Sequence, residues 1–163
     1  MATMSISGLD EFVAMLIKLG DSGKKISSFA LYDGAAIVAE AVAKAVEALP
    51  EEPDRGAPWG RPYQVITPED KAAMVEAVGI AAFQHSGDSV NTAVGIGGYG
   101  GHTEPKYPGG VPIPLIARSI ESGSSVRAKS PFFRKAVTSS KGPAVAKMAE
   151  TGEKLIKEIA AEG

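Results

Sequence analysis

Apolar residues at the start of the chain recur at helical spacing, Leu9, Phe12, Val13, Leu16 and Leu19, and a second stripe is marked by Phe29, Val38, Val42, Val46 and Leu49. That spacing matches the 3.6-residue turn of a helix with one buried face. Two helices are predicted. The first starts at Ser7, an N-cap with Asp10 at the capping-box position, and ends at Gly20. The second runs from about Lys25 to Leu49, where Ile37, Ala41, Ala45 and Ala48 widen the apolar stripe, and Pro50 stops it.

The pattern then changes. Residues 50–66 carry four prolines and two glycines and read as an extended loop anchored by Trp59 and Tyr63. Thr67-Pro68-Glu69-Asp70 is a strong helix start, with Thr as N-cap, Pro at the first helical position and acids in the first turn. The helix it opens runs to Ala77, and Gly79 interrupts. Ile80–His85 and Ser89–Ile96, joined by Ser86-Gly87-Asp88, read as a β-hairpin with Val90, Thr92, Val94 and Ile96 on one face. A continuation of the helix through 80–83 is the alternative. Residues 97–114 are Gly/Pro-rich loop, Leu115–Ser122 a short helix, and Ser124–Lys129 an extended link or edge strand. Pro131–Ala161 is a terminal helix kinked or broken near Lys141 by Ser139, Ser140, Gly142 and Pro143. The fold class is α+β. Two N-terminal helices and a long C-terminal helix pack on a small antiparallel β-sheet with long Pro/Gly-rich loops, as one domain spanning 1–163.

Composition narrows the chemistry. With 163 residues and 44% hydrophobic content the chain suits a single core. Its net charge of −2 gives no general reason to expect a nucleic-acid binder. There is no cysteine, so no disulfide and no thiolate zinc site. No uninterrupted apolar run reaches the ~18–20 residues of a membrane span, and the N-terminus lacks the pattern of a secretory signal, which points to the cytoplasm. Aromatics make up only 6%. A core rich in Ala and Val buries little area per residue, so neighbouring subunits are expected to add to it.

Three local motifs suggest catalysis or binding, and each has a plainer explanation. Gly95-Ile96-Gly97-Gly98-Tyr99-Gly100 matches a dinucleotide fingerprint, but the residues after it cannot open the helix that a pyrophosphate needs. His85, Ser86, Asp88 and Ser89 are the residue types of a hydrolase triad, yet they sit side by side in a turn. His85 and His102 are the only histidines, and no metal-binding spacing surrounds them. Arg118 and Glu121, at i, i+3 on the short helix, form either a solvated pair or a cap, or else an intersubunit contact. Gly123 reads as the residue that lets the chain reverse after that helix. Arg127, Lys129, Arg134 and Lys135 form a basic cluster, and Phe132 and Phe133 read as core plugs.

The stretch from Tyr107 to Val137, YPGGVPIPLIARSIESGSSVRAKSPFFRKAV, resembles the neck and tail-completion proteins of long-tailed bacteriophages. Their pattern is Ala-Arg-Ser-hydrophobic-Glu-Ser-Gly, a basic linker, then Pro-Phe and a terminal helix. The likeness extends to Thr67-Pro68, Val78-Gly79-Ile80, Val94-Gly95-Ile96-Gly97 and Lys106-Tyr107-Pro108. Ser124 stands where many members carry Thr, and Lys135 where Pro is common. The resemblance implies a structural virion protein, not an enzyme, with no cofactor and no small-molecule substrate. Such a subunit forms a ring around the DNA channel, in six or twelve copies, assembled in the host cytoplasm. Its partners are identical subunits, the connector, and the tail tube or terminator; no membrane is involved. A tail terminator capping the tube is the alternative role, and a small enzyme or DNA-binding accessory protein are more distant ones. Trp59, Tyr63, Tyr99, Lys106, Tyr107, Arg118, Glu121 and Arg127 are the expected interface residues. Arg127, Lys129, Arg134 and Lys135 are the expected DNA-channel-facing ones, touching phosphates through unspecific charge.

Overall fold

The computed structural model describes residues 9–50, 66–87, 89–124 and 129–162. Its frame is a pair of long antiparallel helices, α1 (Leu9–Glu47) and α4 (Phe132–Ala161). Between them in sequence lie α2 (Pro68–Glu76), β1 (Val78–Ile80), β2 (Gln84–Ser86), β3 (Ser89–Asn91), β4 (Val94–Ile96), β5 (Tyr99–Gly100), β6 (Val111–Pro112) and α3 (Ile113–Ser122). The α+β class and the small antiparallel sheets agree with the sequence.

The two predicted N-terminal helices are one. Gly20 does not end the first, and α1 continues through Gly20 and Gly23 for 39 residues. A glycine inside a helix costs about 1 kcal/mol relative to Ala. Packing along α4 offsets that cost, even though Gly20, Asp21 and Ser22 are residue types that can end one helix and cap another. Of the kink or break expected near Lys141, the break does not occur, since α4 is a single 30-residue helix containing Pro143. Around it Thr138, Ser139 and Ser140 donate side-chain hydrogen bonds to carbonyls of the preceding turn, and Ser140 Oγ reaches Ala136 O at 2.8 Å.

Thr67 caps α2 as its sequence predicts, accepting from Asp70 N at 3.0 Å. The hairpin also forms, but in two ladders. β1 pairs with β4 (Ile80 opposite Val94), and β2 with β3 (Gln84 opposite Asn91). Three residues, Ala81–Phe83, therefore face two, Thr92 and Ala93, which is a bulge with one extra residue. Ala81 N donates to Ala93 O at 2.8 Å, and Thr92 Oγ1 donates to Ala81 O at 2.6 Å. Residues 81–83 are thus neither helix nor regular strand. Val90, Thr92, Val94 and Ile96 do share the more buried face.

The core gathers at one end of the helix pair. Val46, Leu49, Ile66, Met74, Val111, Ile113, Ile116, Ile120 and Phe132 form it, with Tyr107, Ile96 and Phe133 packed around them. Val42 and Ala35 on α1, and Ala136 and Ala144 on α4, extend it a short way. Beyond Ala35 toward the N-terminus and beyond Ala144 toward the C-terminus, no described side chain is fully buried. There the helices form a two-helix arm. It is held by Thr151 Oγ1 donating to Asp33 Oδ2 at 2.6 Å, by Met148 against Gly34, and by a Lys18–Glu162 ion pair at 3.7 Å.

Within α1, Leu16–Glu47 has a mean hydropathy of 1.4 over its most apolar window and is long and apolar enough to cross a membrane. The stretch still contains no uninterrupted apolar run of that length, and 17% of the window is buried. Asp33 and Glu40 interrupt the apolar run, and Asp33 is spent on the α4 contact.

Candidate assembly surfaces

The motif around Glu121 turns out to be a structural corner. Gly123, at φ 76°, ends α3 in a backbone conformation that glycine adopts without strain. Ser130 N donates back to Ile120 O at 2.8 Å, closing the link between α3 and α4. Glu121 then reaches across it. Its carboxylate accepts from Phe133 N at 2.9 Å and from Arg134 N at 3.3 Å, satisfying donors that the first turn of α4 leaves free. Arg134 Nε lies 3.6 Å from the same carboxylate. The side chain of Glu121 is only 16% exposed. Of the readings for Arg118 and Glu121, the solvated pair does not form, and Glu121 is a cap, placed on the first turn of α4. Phe132 is buried, as its sequence position suggests, and Phe133 meets it edge to face. Arg118 stays exposed on α3 and has no ion pair among the described residues.

A second corner clamps the glycine loop onto α2. Asp70, 2% exposed, accepts from His102 N and from His102 Nδ1, both at 2.9 Å. The other ring nitrogen, Nε2, lies 3.3 Å from Glu104 Oε1. Partial burial of His102 pulls its pKa down, but hydrogen bonding and charge from Asp70, seconded by Glu104, outweigh this and raise it above 6.5. Only the protonated ring can donate to both carboxylates at once. Gly101, at φ 69°, leaves room for Asp70 where a Cβ would clash with the carboxylate.

No helix follows the glycine fingerprint: the loop leads from β4 straight into β5, which pairs with β6. Gly110, at φ 103°, lies so close to the Gly100 backbone that a Cβ would come within 3.0 Å. The glycines serve close backbone packing. The His85 turn is the hairpin tip, with Ser86 opposite Ser89 and His85 opposite Val90. Asp88 lies outside the described residues, as do Trp59, Tyr63 and Arg127.

The remaining expected interface residues divide. Tyr99 is 76% exposed and Lys106 is exposed, its Nζ 5.3 Å from the Tyr107 ring centre. Tyr107 itself packs against the core. Lys129 and Lys135 are exposed, and Arg134 is largely so despite its contact with Glu121.

Sequence patterning missed the other exposed apolar surface. Phe29, assigned to the buried stripe with Val42 and Val46, is 51% exposed, and Tyr32 is equally so. With Lys24, Lys25 and Ser28 of α1, and Phe83 and His85 of the hairpin, they line an open groove of about 520 Å³. The bulge places Phe83 there, and no helical period could have shown that. On α4, Val145 and Ile156 are 56% and 44% exposed. The chain matches no family model, no curated protein and no solved structure.

Proposed function

We propose that this chain is a structural subunit of a long-tailed phage neck, a tail-completion protein that works by repeating its shape around the DNA channel and has no reaction centre. The observation that carries the reading is the two-helix arm. It extends past the core with Phe29, Tyr32, Val145 and Ile156 exposed on its surfaces. Only the tip of the hairpin lies against α1 there, which buries too little apolar area to hold such residues out of water, and a repeated neighbour supplies the missing layer. The sequence motif adds to this reading in a particular way. Its acid and its glycine set the angle between α3 and α4, and so fix where the arm points relative to the loops that carry Tyr99 and Lys106. Lys129, Arg134 and Lys135 would then face backbone phosphates through charge alone.

Electron microscopy of particles made without this polypeptide tests the reading. Filled heads and finished tails that fail to join are expected. Normal virions would overturn it, and joined particles with tails of irregular length would move the role to the terminator.

A further inference from the structure

We propose that the aromatic groove on α1 receives the exposed stripe of α4 from a second copy of the chain, head to tail. This rests on the reading of the chain as a repeated subunit and names the surfaces that repeat. The groove is walled by Phe29, Tyr32 and Phe83, with Lys24 and Lys25 at its rim. Neither lysine has an ion pair among the described residues.

At about 100° per residue, Val145, Ala149, Gly152 and Ile156 fall within about 60° of one another around α4. They make a raised apolar ridge at each end, with small residues between. Thr151, which bonds to Asp33 of α1, lies about 100° or more from each of them, and Met148, against Gly34, borders the ridge between the two sides. Groove and ridge lie on different elements, the one on α1 and the hairpin, the other on α4. A surface that fits another surface of the same molecule gives a heterologous contact, which closes into a ring when the rotation permits.

Charge selects the pairing. Glu153, exposed beside Ile156 and without an ion pair among the described residues, is suited to the lysine rim. Ile156 then fills the space between Phe29 and Tyr32.

The absence of cysteine gives a clean test. The full-length chain carrying Tyr32→Cys and Ile156→Cys is oxidised and run on a non-reducing gel. A ladder of covalent oligomers is expected, forming about tenfold or more faster than from a Tyr32→Cys/Lys135→Cys control, because docked thiols meet at high effective concentration. Glu153→Lys should slow the ladder about two- to fivefold, and Lys24→Glu with Lys25→Glu should restore it. No ladder, a ladder equal to the control, or a fast-migrating monomer with an internal bond would each overturn the contact. So would a ladder that appears only after a tail or connector protein is added. Particle assembly is read separately, so a ladder alongside normal virions lacking the chain would keep the contact and remove the neck function.

Discussion

Replacing Glu121 with alanine separates a structural corner from a surface contact. The substitution removes the acceptor for Phe133 N at 2.9 Å and for Arg134 N at 3.3 Å. Hydrogen bonds to a charged group are worth about 1.5–3 kcal/mol each when a partner is left unsatisfied. The longer bond deserves the low end or less, and Arg134 N lies near solvent that can replace the lost acceptor. The ion pair to Arg134 adds almost nothing, since that side chain is 71% exposed. Loss of a helix cap costs about 0.5–2 kcal/mol in comparable cases. These figures converge on about 2 kcal/mol, which for a chain of this length lowers Tm by about 4–8 °C.

The assay is thermal and urea unfolding followed by circular dichroism, at concentrations where the chain is monomeric, because association would raise Tm by mass action. Glu121→Gln keeps a neutral acceptor and should lose about half as much. Arg118→Ala, on the exposed face of α3, should change stability by less than about 0.5 kcal/mol. If Glu121→Ala melts within a degree of Arg118→Ala, the corner is not held by this carboxylate and the reasoning fails.

Three further outcomes follow from the same structure. The pKa of His102 is raised in the fold, so its stabilisation is complete below about 6.5, the unfolded value, and is lost as pH rises through the higher folded value. Melting between pH 6 and pH 9 should therefore show a decline that His102→Gln flattens; parallel curves for the two proteins would contradict the clamp. Gly110→Ala places a Cβ against the Gly100 backbone at a left-handed φ and should cost about 1–3 kcal/mol, read as a drop in the urea midpoint. Met74→Ala, at a position with no exposed surface, should cost about 2–5 kcal/mol, and a change under 1 kcal/mol in the same measurement would show that the core relaxes around the gap.

What the sequence determined by itself was mostly local. Thr67-Pro68 fixed the start of α2 because capping and proline geometry act within one turn. The alternation of Val90, Thr92, Val94 and Ile96 fixed the face of the hairpin, and Gly123 the end of α3. Residues whose role depends on another element were read wrongly or left open. Gly20 and Pro143 look like helix ends in isolation, yet each helix supports the other along its length, which outweighs a local cost of a few kcal/mol or less. Phe29 reads in sequence with Val42 and Val46, but thirteen residues at about 100° each put it about 140° from Val42 around α1, so it faces away from the core. Glu121 looks like a surface acid until α4 folds back over it, and Asp70 looks like an ordinary first-turn acid until His102 arrives from the glycine loop. Periodicity states which side of a helix is apolar; only the tertiary structure decides what, if anything, lies against it.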